Sequence, residues 1–104
     1  MKIAISTDSA KNDASVAEVF GRCKFFALYD TSSKKLTFLD NPGASQERGS
    51  GVSAAQTLID NKVVKVYCTN VGPNAENVLN EGNILIDIVK EDKTVKDLIS
   101  GLKK

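Results

Sequence analysis

The string Phe20-Gly21-Arg22-Cys23 brings together the two side chains of this sequence best suited to chemistry. Arg22 offers a planar fork of N–H donors that matches an anion. Cys23 offers a sulfur that, as thiolate, ligates metal or acts as a nucleophile. The same string also reads as structure, with Phe20 in a core, Gly21 turning the chain, Arg22 solvated and Cys23 a small buried hydrophobe. Cys68 stands in step with Val64 and Val66 and reads as an inert residue on a packed strand face. Asp8 follows the first apolar segment, where a phosphate-handling carboxylate could act, but a lone aspartate in a turn ordinarily caps backbone. Asp13 and Glu18 have no diagnostic spacing to it.

What the sequence lacks narrows the chemistry further. It contains no histidine, which removes the commonest general base, the Ser–His and Cys–His pairs and the usual zinc ligand together. Its two cysteines form neither a disulfide framework nor a CxxC motif, so free thiols and a cytoplasmic location are expected. The opening MKIAIST leads directly into a strand pattern, with no apolar run of the length a signal peptide or membrane span needs. With 14 basic and 13 acidic residues the net charge is +1. That gives no strong field for gathering nucleic acid or a membrane surface, and neither is expected as a partner. A chain of 104 residues that is 41% hydrophobic and 26% charged is expected to form a single domain, residues 1–104, around one modest core.

Three glycine-bearing segments could converge on a ligand. One is the loop after the first strand, Thr7 to Cys23. Another is the stretch 41–51, NPGASQERGSG, which opens into a helix, and the last is the turn Thr69-Asn70-Val71-Gly72-Pro73-Asn74. Glycine lets backbone approach a ligand closely, and unpaired N–H groups at a helix start favour anions. The candidate contacts are therefore Arg22, Gly49, Gly51, Asn70 and Gly72, with Cys23 the candidate metal ligand. The glycine loop matches neither the phosphate-loop nor the dinucleotide fingerprint.

The elements that must position these segments follow from periodicity. Residues 2–6, with Ile3 and Ile5, read as a strand; Phe25–Tyr29 and Leu36–Leu39 read as a hairpin joined by the turn residues Asp30 to Lys34. Val52, Ala55, Leu58 and Ile59 share one face of a helix. Val63–Cys68 is a fourth strand. A second helix starts at Gly72-Pro73-Asn74, with Ala75, Val78 and Leu79 inward and Gly82 as its stop. Ile84–Val89 is a fifth strand. Thr94 and Asp97 are in capping-box relation at the start of a last helix lined by Val95, Leu98, Ile99 and Leu102. The βαβαβ portion implies parallel pairing and the hairpin an antiparallel edge. A mixed five-stranded sheet covered by helices is the expected α/β fold. In such sheets ligands lie beyond the carboxyl ends of parallel strands, where these loops would gather.

Taken in order, Phe20-Gly21-Arg22, Asn41-Pro42-Gly43, Gly49-Ser50-Gly51 before Ala54-Ala55-Gln56, and Asn70-Val71-Gly72-Pro73-Asn74-Ala75 resemble the dinitrogenase iron–molybdenum cofactor biosynthesis family. The resemblance runs from the first strand almost to the C-terminus. It implies a three-layer αβα, ribonuclease H-like fold. It also implies a small carrier of iron–sulfur or molybdenum-containing clusters that delivers its cargo to an acceptor or assembly protein. In the family pattern a histidine commonly precedes the FGR string; here the position is Val19. A bound cluster must then use Cys23, use Cys68, or be held by backbone donors and Arg22 without protein ligation.

The leading expectation is a non-enzymatic carrier or binding protein for an anionic metal–sulfur cluster or its precursor. The alternatives are a regulatory or protein-interaction module of the same fold that has lost cluster binding, and an enzyme acting on a phosphorylated metabolite through Asp8 and Arg22. A two-metal nuclease is disfavoured, because only Asp8 is near a suitable place for the several carboxylates it needs.

Overall fold

The computed structural model describes residues 1–45, 48–90 and 93–102. Five strands, β1 (Lys2–Thr7), β2 (Phe25–Asp30), β3 (Lys35–Asp40), β4 (Val63–Cys68) and β5 (Leu85–Ile88), form one sheet in the order β3-β2-β1-β4-β5. β1, β2 and β3 pair antiparallel, whereas β1–β4 and β4–β5 are parallel. The helices are α1 (Ser50–Asp60), α2 (Pro73–Glu81) and α3 (Val95–Leu102), with short 3₁₀ turns at Phe20–Arg22 and Pro42–Ser45.

Strand side chains alternate between faces, and the two faces build separate cores. Ala4, Phe26, Leu28, Val66 and Cys68 pack against Ala54, Ala55 and Leu58 of α1 and Ala75 and Leu79 of α2. Ile3, Ile5, Ala27, Tyr29 and Tyr67 pack against Val95 and Ile99 of α3. The result is the expected three-layer αβα arrangement. Because β1 is central, everything from Ile3 to Thr7 is buried. The buried hydroxyl of Thr7 donates to the Ser9 carbonyl at 3.0 Å.

Three local expectations are revised. Val52 is 39% exposed, and Ala54, Ala55 and Leu58 carry the inner face of α1. Val64 does not share a face with Val66. The pairing of β4 with β1 shifts register between Lys2 and Ile3, and this irregularity turns Val64 outward. Gly82 does stop α2, but not by a left-handed conformation: its φ is −84°, and the left-handed residue is Asn83 at φ 60°. Glycine is needed at 82 because a Cβ there would lie 2.6 Å from Ile59 Cγ1.

The third layer is tied on through its N-terminus. The Asp97 N–H donates to Thr94 Oγ1 at 3.1 Å and the Thr94 N–H donates to Asp97 Oδ2 at 3.2 Å, completing the expected capping box. The Val95 N–H donates to the Ala14 carbonyl and the Lys96 N–H to the Asn12 carbonyl, so the α3 start also anchors the long β1–β2 loop. Thr94→Ala is expected to lower the unfolding free energy by about 1 kcal/mol. In urea titrations this appears as a lower midpoint at unchanged slope.

Candidate functional site

The Phe20–Arg22 turn is fixed from three directions. Phe20 is fully buried, its ring centroid 5.4 Å from that of Phe26. Its backbone N–H donates to the Asn70 carbonyl at 2.9 Å. The Thr69 hydroxyl lies within 2.7 Å of the Ala17 carbonyl and 2.6 Å of the Glu18 carbonyl, and Asn70 Nδ2 donates to the Glu18 carbonyl at 3.0 Å. The turn that ends β4 therefore grips the chain just before Phe20.

From the other side comes Asn41, one of three buried polar residues among the described residues. Its Nδ2 donates to the carbonyls of Cys23 (2.7 Å) and Gly21 (3.2 Å), while its Oδ1 accepts from the Gly43 N–H at 3.0 Å. Both amide protons and the acceptor are used, which is how a buried amide side chain avoids a desolvation penalty. Asp8 accepts from the Lys24 N–H at 3.3 Å and so caps the far end of the same segment, the local role expected for it.

Glycine contacts provide the third direction. A Cβ on Gly21 would lie 2.7 Å from both Cα and N of Gly51, and one on Gly51 would lie 3.0 Å from the Ala75 Cβ. The turn, the start of α1 and the start of α2 thus touch one another almost backbone to backbone. Gly49, just before α1, has φ 70°, a left-handed value that disfavours any side chain.

These three segments enclose a cleft of about 270 Å³ lined by Val19, Gly21, Arg22, residues 49–52 and residues 72–75. Gly49 and Gly72 are the N-cap positions of α1 and α2, and neither helix has a side-chain cap. The first N–H groups bonded within the helices belong to Ser53, to the Gly49 carbonyl, and Glu76, to the Gly72 carbonyl. The N–H groups of Ser50, Gly51 and Val52, and of Asn74 and Ala75, precede them on residues that line the cleft. Such donors, with the positive ends of two helix dipoles and the Arg22 guanidinium, favour an anion. The first turn of α1 carries no acidic residue.

Of the expected contacts, Arg22, Gly49, Gly51 and Gly72 come together at this cleft, and Asn70 and Cys23 do not. The Asn70 side chain is directed to the Glu18 carbonyl, where it helps hold the turn. Cys23 is 1% exposed within the core on the α1–α2 side of the sheet, and its sulfur lies 3.6 Å from Asn41 Nδ2. Burial pushes its thiol up to about 12, with the negative charge of Asp8 adding to the effect and the Asn41 hydrogen bond opposing it. Burial likewise raises Cys68 to about 11, reinforced by Asp87. The reactive reading of Cys23 is corrected on this ground: at neutral pH it is a protonated core thiol facing away from the cleft. Among the described residues no group of three or more His, Cys, Asp or Glu side chains could hold a metal ion. The donor set at the cleft fits a polyanion held by hydrogen bonds and charge; it does not fit a metal ligated by side chains.

The residues that sequence reasoning left without a role are Asn41 and Thr69. An Asn before Pro-Gly signals a local Asx turn, and the Gly43 contact fulfils that. The longer bonds to Gly21 and Cys23 had no local signal.

The whole chain is similar in fold to the apo form of the orange protein from Desulfovibrio gigas, at TM-score 0.91 and 25% identity over 98% of this chain and 86% of that one. A putative NifB protein from Thermotoga, of the DUF35 family, matches at TM-score 0.83 and 25% identity over the same shares of the two chains. No curated protein sequence matches. The family described as dinitrogenase iron–molybdenum cofactor matches residues 1–104. Together these similarities point to the class of small proteins that bind or carry a cluster or cofactor. The chain belongs to the dinitrogenase iron–molybdenum cofactor family.

Two outcomes follow from this geometry. Asn41→Ala leaves two buried carbonyls without their donor and is expected to cost about 1–3 kcal/mol in urea unfolding. Amide resonances of Gly21 to Lys24 should broaden or shift in the same variant. Both thiols have folded pKa values above the ordinary 9.0. Below pH 9 both states keep the protons, but above it the unfolded chain releases them first. Stability should therefore fall by about 1.4 kcal/mol per pH unit per thiol as pH rises beyond 9, levelling off above about 11 for Cys68 and about 12 for Cys23. Iodoacetamide at pH 8 should modify neither cysteine until the protein is unfolded.

Proposed function

We propose that this protein is a non-enzymatic carrier of an anionic metal–sulfur species, such as a thiometallate or a cluster precursor, which it delivers to an acceptor or assembly protein in the cytoplasm. The observation that carries this reading is the meeting of two helix starts without side-chain caps and Arg22 on one glycine-lined cleft. The family and the likeness to the orange protein support a cluster or cofactor as cargo. The cargo is held by backbone N–H groups of α1 and α2 and by Arg22, with Gly49, Gly51 and Gly72 allowing close approach. No protein sulfur ligates it, because Cys23 is a buried thiol outside the cleft. Holding cargo by charge and hydrogen bonds suits a carrier, since release requires no metal–protein bond to break.

Protein purified anaerobically, incubated with tetrathiomolybdate and iron and then desalted, should retain colour and stoichiometric metal. Arg22→Ala should weaken retention roughly tenfold or more, the range for a charge-assisted hydrogen bond. A Cβ on Gly72 meets no atom within 4 Å, so Gly72→Val should fold normally and still lose binding by filling the cleft. Cys23→Ala should keep the cargo. Loss of colour in Cys23→Ala with no effect of Arg22→Ala would overturn the assignment. A wild-type protein that stays colourless would favour the protein-interaction module. For that reading the observation is the apolar lip formed by Val19, 44% exposed, and Val52.

A further inference from the structure

The sheet face opposite α1 and α2 is covered by α3, a helix of eight residues. Beside it a second cleft, of about 470 Å³, opens between α3, the loop at Asn12 and Asp13, and the β2–β3 turn. It shares no lining residue with the metal–sulfur cleft. Its floor is apolar where Leu36 and the edges of Tyr29 and Ile99 reach the surface, with Val95 fully buried beneath them. Among the described residues its rim carries one lysine from each wall, Lys34 from the turn and Lys96 from the helix, against a single acidic group, Asp13. The backbone is fixed at both lysines, whose side chains are exposed. Lys34 takes a left-handed φ of 60° and its N–H donates to the Asp30 carbonyl at 2.7 Å, while the Lys96 N–H donates to the Asn12 carbonyl at 2.9 Å.

We propose that this cleft binds a small amphipathic monoanion, with an aromatic or branched aliphatic body on the apolar floor and a carboxylate or sulfonate between Lys34 and Lys96. The volume lies within the roughly 300–1,000 Å³ of small-molecule sites, which pair an apolar lining with a few placed polar groups. Charge selects the class of ligand. Two cations facing one carboxylate are matched by one added negative charge, whereas a cation meets repulsion and a neutral apolar body leaves the excess charge unanswered. The site is independent of the cargo reading and stands or falls without it.

The test is a titration with 8-anilinonaphthalene-1-sulfonate, an aromatic monoanion, followed by its fluorescence and by backbone amide shifts. Saturable one-to-one binding is expected, with shifts clustered at Asn12, Lys34, Lys96 and Ser100. The double variant Lys34→Glu, Lys96→Glu should weaken binding roughly tenfold, as two attractions become repulsions. Ser100→Trp should block the cleft; all three positions are exposed, so both variants should retain a dispersed amide spectrum. Non-saturable binding, equal affinity for a cationic naphthalene analogue, or indifference to both variants would overturn the proposal. So would concentration-dependent dimerisation abolished by Ser100→Trp, which would give the cleft to a second copy of the chain.

Discussion

Where the Phe20–Arg22 turn meets the first residues of α1, backbone lies against backbone. Gly21 approaches Gly51 so closely that a single methyl group at 21 would sit 2.7 Å from two main-chain atoms. Those atoms belong to a helix already packed on the sheet through Ala54, Ala55 and Leu58, so they cannot yield as a flexible side chain would. Gly51 in turn approaches Ala75 in α2. The start of each helix is thereby fixed relative to the other and to Arg22. An anion site made from helix ends depends on that relation, because helix-end attraction falls off within the first turn. The hydrogen bonds from Asn41, Thr69 and Asn70 hold the turn in this contact from both flanks.

The electrostatics of the site are those of donors without a ligating base. Burial keeps Cys23 protonated far above neutral pH. Turning it into a metal ligand would require exposing it, losing the Asn41 contacts, or placing a large positive charge in the core. Fixed backbone dipoles face no such conflict. They are oriented before any ligand arrives, and α1 brings no acidic side chain in its first turn to compete with the ligand. Pro73 sharpens the asymmetry between the two helices: it starts α2 without wasting a donor, and leaves Asn74 and Ala75 as that helix's contribution.

Strand order aside, the architecture was legible because local signals and the global fold agree. The Asp30–Lys34 turn, the βαβαβ run and the Thr94–Asp97 box each announce themselves within a few residues. The convergence of the glycine segments was legible too, since connections after parallel strands gather at one end of a sheet. What stayed hidden was orientation within that end. Whether Cys23 faced cleft or core depended on Asn41, whose partners lie across a loop and a strand pair. Asn70 looked like a ligand contact for the same reason; its carbonyl accepts from the Phe20 N–H of the turn and its amide donates to the Glu18 carbonyl just before it. Val64 was misplaced by a one-residue register shift, which reverses faces without any mark in composition. The second cleft had no signal at all, because the β1–β2 loop, the hairpin and α3 that line it are far apart in sequence.

The glycines around the site separate into those the fold requires and one it does not. Gly21 and Gly51 are forced by close neighbours and Gly49 by a left-handed φ. Gly72 has an ordinary φ of −74° and open space where a Cβ would stand. Glycine caps α2 without a side-chain bond; Ser, Thr, Asp or Asn at this N-cap position would satisfy a first-turn N–H and stabilise α2 by roughly a few tenths of a kcal/mol more. Such a side chain would also occupy a donor on the cleft-lining residues 74 and 75. Leaving the position bare keeps those N–H groups directed outward, at a small expense in helix stability. Folding alone favours a cap at position 72, and binding an anion there favours its absence.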